Sequence, residues 1–231
     1  MDKPQQSPND MKIVESWSKN VTQWTLAVRG QHIESRRLVT NRAIIEAVLE
    51  QSPRSVLDIG CGEGWLLREL ASEVPELLGV DAVSSLIDAA KAADGGDFIV
   101  ATFDELANAL NKRQFDVAVC NFSLLGQVSV EHLFVAIPSV LNPAGVLIVQ
   151  TLHPKMACGN LAYVDGWREG SWDGFDSSFV EPAPWYFRTL ESWLTLFSDN
   201  GLRLLEIREP VHPNTQKPVS IIFIGVKDST K

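Results

Sequence analysis

The 231-residue chain has only three cysteines, Cys61, Cys120 and Cys158, widely spaced and with no CxxC pair. That count excludes a disulfide framework, gives no zinc-type ligand set, and fits a reducing, cytoplasmic compartment; no metal is expected. Basic residues are also scarce: 20 Lys and Arg face 29 Asp and Glu, for a net charge of −9. Counterion release from a phosphate backbone needs a basic face, so a nucleic-acid partner is disfavoured, although a local basic patch stays open. Long hydrophobic runs are missing too. The apolar string VSIIFIGV is far too short to span a bilayer, and MDKPQQSPNDMK has no apolar signal core. No membrane association is expected. With 45% hydrophobic and 21% charged residues, the chain can still bury a sizeable core. Its aromatics are unevenly placed: ten of the 19 Trp, Phe and Tyr residues lie between Tyr163 and Phe197.

Residues 1–12 read as a mobile polar tail and 13–231 as a single domain. Ile13, Val14, Trp17, Val21, Trp24 and Val28 recur with helical period, and Gly30 is a natural stop. A second helix is predicted over 34–49, so that 13–51 forms a helical cover ahead of Pro53. Short apolar runs then alternate with amphipathic segments. Strands are predicted at 55–59, 77–80, 98–101, 115–120 and 146–151, with helices at 65–72, 84–93, 104–110 and 130–141. Nearly all-apolar strands separated by helices indicate an α/β fold with a parallel, doubly wound sheet covered on both faces. Residues 154–188 break the pattern. Such a long aperiodic stretch reads as an aromatic-rich lid insertion. A helix at 190–199 and strands at 202–207 and 219–226 complete the chain.

The strongest local signal is VLDIGCGEGWLLREL. Gly60, Gly62 and Gly64 lie between the first strand and its helix, where missing side chains let a ligand approach the backbone. The spacing is GxGxG, not the GxGxxG of dinucleotide sites, and Asp58 stands two residues before the first glycine. Asp81 ends the second strand, 17 residues after Gly64, where a carboxylate can accept both hydroxyls of a ribose.

The segments VLDIGCGEG, LLGVDAVSSLIDAAK, FDVAVCNFSLL and LNPAGVLIVQTLHP resemble, in order, the motifs of class I S-adenosylmethionine-dependent methyltransferases of the small-molecule type. The resemblance covers 56–154 well and extends more weakly through WYFRTLESWLTLFSDNGLRLLEIREP. It implies a Rossmann-like, seven-stranded, mostly parallel sheet with an antiparallel last strand, and S-adenosylmethionine as cofactor. It places Asp58, Gly60, Cys61, Gly62 and Gly64 beside the methionyl part and Asp81 on the ribose hydroxyls. Ala82 would lie beside the adenine, with Asn121 and Phe122 near the sulfonium. Where the family often has an acid near the adenine amine, this chain has ATFDEL, leaving Thr102 and Phe103 in that position. GQHIESRRLVTNRA resembles the helix that covers the cofactor, which would bring Ser35 or Arg36 to the cofactor carboxylate; a solvated helix face is the alternative.

In-line methyl transfer needs alignment and exclusion of water more than dedicated acid–base machinery. His153, just after the fifth strand, is the candidate base if one is used, against the alternative of a loop histidine bonded to backbone. Trp167, Trp172, Trp185, Tyr186 and Arg188 are the candidate binding residues for a small-molecule acceptor, through aromatic faces and charge pairing. Two further readings remain: a non-catalytic binder or partner protein that keeps the cofactor fold, and a nicotinamide-dependent oxidoreductase. Against the second stand the glycine spacing and the lack of a Tyr-x-x-x-Lys pair. Oligomeric state is not encoded in any feature of the sequence.

Overall fold

The computed structural model describes residues 7–228. The N-terminal cover holds α1 (Pro8–Lys19), α2 (Val21–Arg29), a π-helical turn at Arg36–Thr40 and α3 (Asn41–Leu49). Strands and helices then alternate: β1 (Ser55–Ile59), α4 (Trp65–Leu70), β2 (Glu76–Asp81), α5 (Ser84–Ala93), β3 (Asp97–Val100), α6 (Leu106–Ala109), β4 (Phe115–Asn121), α7 (Val128–Val140) and β5 (Leu141–Thr151). The remainder comprises α8 (Pro154–Ala157), β6 (Gly166–Arg168), β7 (Trp185–Phe187), α9 (Leu190–Asp199), β8 (Leu202–Arg208) and β9 (Ile221–Lys227).

The main sheet has seven strands in the order β3-β2-β1-β4-β5-β9-β8. The pairs β2·β3, β1·β2, β1·β4 and β4·β5 are parallel, while β9 runs antiparallel to both β5 and β8. This is the predicted architecture, including the antiparallel last strand. The order reverses direction between β1 and β4, and at such a switch point the carboxyl ends of the strands leave a crevice. Alternation along each strand sends side chains to two cores. Leu57, Ile59, Phe134, Phe197 and Phe223 meet on one face of the sheet; Val56, Ile44, Leu66, Ile148 and Ile222 meet on the other.

Most predicted element boundaries hold to within two residues; the cover departs from prediction. One continuous helix over 11–30 is replaced by two, because Asn20 leaves helical geometry (φ −112°, ψ 15°) and turns its side chain to other partners. The first helix also begins earlier, at Pro8. Ser7 caps it, its side chain accepting from the Asn9 N–H, so residues 8–12 of the expected tail are helical, while 1–6 lie outside the described residues. The segment 154–188 is not wholly aperiodic. It contains α8 and a two-stranded antiparallel ladder, β6·β7. Among the described residues no helix is long and apolar enough to cross a membrane.

Candidate functional site

The carboxyl ends of β1, β2 and β4, together with the chain after β3, border a cavity of about 150 Å³. Gly60 and Gly62 form one wall of it. Gly60 has φ +75°, and a Cβ there would sit 2.3 Å from Cβ of Ser123, so both the conformation and the contact require glycine. Gly62 has φ +57°, but a Cβ would meet only Nε1 of Trp24, at 3.5 Å; here the backbone faces open space. The backbone N–H groups of Gly60 and Cys61 both donate to the Val80 carbonyl, at 2.7 and 3.0 Å, which fixes the turn against β2.

Asp81 closes the next wall. Its Oδ2 accepts from the Gly62 N–H and its Oδ1 from the Val83 N–H, both at 2.9 Å. Burial pushes its carboxyl up from the ordinary range, and those backbone bonds oppose the shift. Ala82, Thr102 and Phe103 line the same side, and Asn121 and Phe122 the opposite one. Asn121 is oriented by Gln150, whose buried amide donates to Asn121 Oδ1 (2.7 Å) and to the Thr40 carbonyl (3.1 Å). Phe122 takes a left-handed conformation (φ 55°) that is costly for a bulky side chain, held by its N–H donating to the Gln150 carbonyl at 2.8 Å.

Behind the glycine turn lie Asp58 and Arg36. Asp58 is 2% exposed and its Oδ1 has no partner. Burial first, then the charge of Asp81, raises its carboxyl to about 8, with Arg36 pulling the other way. Arg36 belongs to the π-helical turn, its guanidinium over the rings of Trp65 (4.7 Å) and Trp24 (5.4 Å). One of its N–H groups donates to Asn41, while Nη2 is buried without a partner. Burial lowers it to about 10, so it stays cationic at neutral pH. Arg36 is therefore no solvated helix face. An unpaired carboxylate oxygen and an unpaired guanidinium nitrogen, each sensing the other's charge, fit the ammonium and carboxylate of an amino-acid moiety. Cys61, in the same turn, is buried, and its thiol is pushed up mainly by that burial. Gly64 stands at the N-terminal end of α4.

The predicted acceptor and base residues are not brought to this cavity. His153 is buried beside β5, its Nε2 2.7 Å from Glu209 Oε1, and it is not part of the cavity wall. Trp167 packs edge-on against Tyr186 in the small ladder (5.5 Å), and Trp185 against Phe187 (6.1 Å). Arg188 is buried against Tyr186 and Trp193, and its N–H groups donate to the carbonyls of Gly126 (2.8 Å) and Gln127 (3.0 Å). It braces a cavity-lining loop from behind. Trp172 lies outside the cover, where it packs with Trp17, Phe175 and Phe179 and donates to the Val180 carbonyl.

What closes the cavity instead is the cover: Asp10, Ile13, Val14 and Trp17 of α1 and Trp24 of α2. Sequence reasoning placed these apolar residues on a helix but not at the site. The available signal was Asp10, an acid standing three, four and seven residues before Ile13, Val14 and Trp17 on one apolar stripe. The insertion clamps the cover in place. Asn20 exchanges two hydrogen bonds with Val180, both 2.8 Å, Ser16 donates to the Glu181 carbonyl, and Lys19 pairs with Glu181. Glu63, buried under the turn, pairs with Arg29 of α2 and with Arg68.

A family described as "Methyltransferase domain" matches residues 19–207. A ubiquinone biosynthesis O-methyltransferase of Mesorhizobium japonicum is 31% identical over 182 residues, covering 71% of this chain and 72% of that protein. One from Rickettsia prowazekii is 23% identical, covering 85% of this chain and 77% of that protein. Among solved structures, an S-adenosylmethionine-dependent methyltransferase from Mesorhizobium loti superposes with a TM-score of 0.60 at 20% identity, covering 80% of this chain and 96% of that one. A further methyltransferase structure, from Listeria monocytogenes, gives 0.63 at 18% identity, covering 81% and 100%. The chain belongs to the methyltransferase-domain family and is an S-adenosylmethionine-dependent methyltransferase of the small-molecule type.

Proposed function

We propose that this chain methylates a hydroxyl group of a compact, largely apolar small molecule held beneath α1 and α2. The observation that carries this reading is that one cavity is bounded by the glycine turn and Asp81 on one side and by Ile13, Val14, Trp17 and Trp24 on the other. The first wall suits the donor and the second suits an apolar ring. The choice of oxygen is supported by the O-methyltransferase names of the relatives.

In this reading Asp81 accepts the ribose hydroxyls while Gly62 and Val83 hold its carboxylate in place. Arg36 receives the donor carboxylate and Asp58 the ammonium, each satisfying an atom that is otherwise unpaired. Ala82, Thr102 and Phe103 flank the adenine, and Asn121, held by Gln150, borders the reacting end. Bound S-adenosylmethionine supplies a methyl group already activated on a sulfonium. The chain's task is to align the two partners and keep water out, which the aromatic cover does by closing over the strand ends. Trp172 and Arg188 act on the acceptor site at one remove, by bracing the cover and the loop after β4. The three buried free thiols favour a reducing, cytoplasmic setting.

The test is transfer of labelled methyl from S-adenosylmethionine to a panel of phenols, catechols, aromatic amines and thiols. Methyl ethers are the expected products. Label found in amines or thiols but in no ether would overturn the choice of oxygen.

A further inference from the structure

The cavity holds a carboxylate that the donor site does not use. Asp10, in the first turn of α1, is only 5% exposed. Its Oδ1 accepts from the Gln127 N–H at 3.0 Å and from Ser129 Oγ–H at 2.7 Å. Those bonds cap α7, whose own N-cap residue, Gln127, makes no side-chain cap. Capping uses one carboxylate oxygen. The other, Oδ2, is buried without a partner. A buried carboxylate oxygen left unpaired is destabilising, so its retention in an otherwise apolar stripe calls for a ligand atom.

The surroundings indicate which atom. Asp10 lines the cavity beside Ile13, Val14 and Trp17, and Gly126 lies so close that a Cβ there would collide with Oδ1. This is the loop that follows Asn121 and Phe122. Arg188 feels the charge of Asp10, yet it turns its N–H groups to the Gly126 and Gln127 carbonyls. The free oxygen is therefore a buried acceptor with no donor, on a residue that lines the cavity beside apolar side chains.

We infer that Asp10 Oδ2 recognises the methyl acceptor, accepting a hydrogen bond from a hydroxyl on its ring. Asp10 thereby selects hydroxylated rings over their already methylated counterparts and disfavours rebinding of the product ether. The inference rests on the hydroxyl reading given above.

The probes are catechol and 1,2-dimethoxybenzene, which has the same ring but no hydroxyl donor. Each is titrated by calorimetry into wild type, Asp10→Asn and Asp10→Ala saturated with S-adenosylhomocysteine. Wild type is expected to prefer catechol by about tenfold or more, the worth of a hydrogen bond to a charged group. Both variants lose that preference while keeping their affinity for S-adenosylhomocysteine. Asp10→Asn retains an oxygen to cap α7, so it separates loss of recognition from loss of fold, and melting temperatures check this directly. An undiminished preference in Asp10→Asn, or no preference in wild type, overturns the inference. So does a loss of S-adenosylhomocysteine affinity in the variants, which would assign Asp10 to the donor. Failure of wild type to bind S-adenosylhomocysteine at all would count against the donor site alone, and the catechol preference is then read on the ligand-free protein.

Discussion

The backbone N–H of Gly62 donates to Oδ2 of Asp81 at 2.9 Å, joining the turn after β1 to the tip of β2. Two parts of the proposed donor wall thus come from strands that lie side by side and depend on each other's geometry. The glycines of the turn do different work, and substitution should separate them. Gly60→Ala meets both a left-handed φ and the Ser123 side chain, and should cost about 3 kcal/mol or more. Gly62→Ala meets only the conformational penalty, about 1 kcal/mol. Thermal unfolding checks the order, at about 2–4 °C per kcal/mol for a domain of this size. In the second variant the fold survives and donor affinity falls, because a methyl group now stands in the cradle.

In the proposed reading, Asp58 should make donor binding depend on pH. Its carboxyl, raised by burial to about 8, is mostly protonated in the free protein at neutral pH. An incoming ammonium favours the anion, so binding at pH 7 should release about one proton, and affinity should rise with pH up to about 8 and then level off. The same shift has a consequence for stability. The folded form holds this proton more tightly than the unfolded chain, whose value is near 3.8, so the contribution of Asp58 to stability falls as pH rises between those values. Calorimetry in buffers of different ionisation enthalpy measures the proton count. Asp58→Asn should remove it.

Asn20 ties the insertion to the cover. It is wholly buried, and its side chain exchanges two hydrogen bonds with Val180 while also donating to the Ser16 carbonyl. Asn20→Ala should destabilise this contact by about 2 kcal/mol, from the lost bonds and the orphaned Val180 groups. Limited proteolysis should then cut faster between 170 and 181.

His153 stands beside Glu209 and away from the cavity. His153→Ala should therefore lower the melting temperature yet leave turnover nearly unchanged, in contrast to the roughly 10²–10⁴-fold loss that follows removal of a general base. A loss of that size in steady-state rates would instead support the role expected from the sequence.

The strand ends were legible in the sequence because β1, β2, β4 and β5 are buried on both faces and so read as short apolar runs bounded by turn residues. The glycine turn and Asp81 were legible for a related reason: their chemistry is set by local backbone geometry. The face of the cover that closes the cavity was not. Ile13, Val14, Trp17 and Trp24 carry a helical period, and a period marks an apolar face without saying whether it meets core or cavity. The crowding of aromatics after Tyr163 marks a packed segment that the sequence could not connect to the cover. Trp172, Phe175 and Phe179 pack on the outside of Trp17 and Trp24, a relation set by partners some 150 residues apart that no local spacing encodes. The break at Asn20 was hidden for the same reason, since its side-chain partner is Val180.

The most direct measurement is titration calorimetry of S-adenosylmethionine, S-adenosylhomocysteine and NAD into wild type and Asp81→Ala. Wild type should bind the first two with roughly micromolar affinity and NAD not at all, and the variant should lose about tenfold or more with the hydrogen bonds of one buried carboxylate. Tight binding of NAD, or undiminished binding of S-adenosylmethionine by Asp81→Ala, would contradict the assignment of this cavity to the methyl donor.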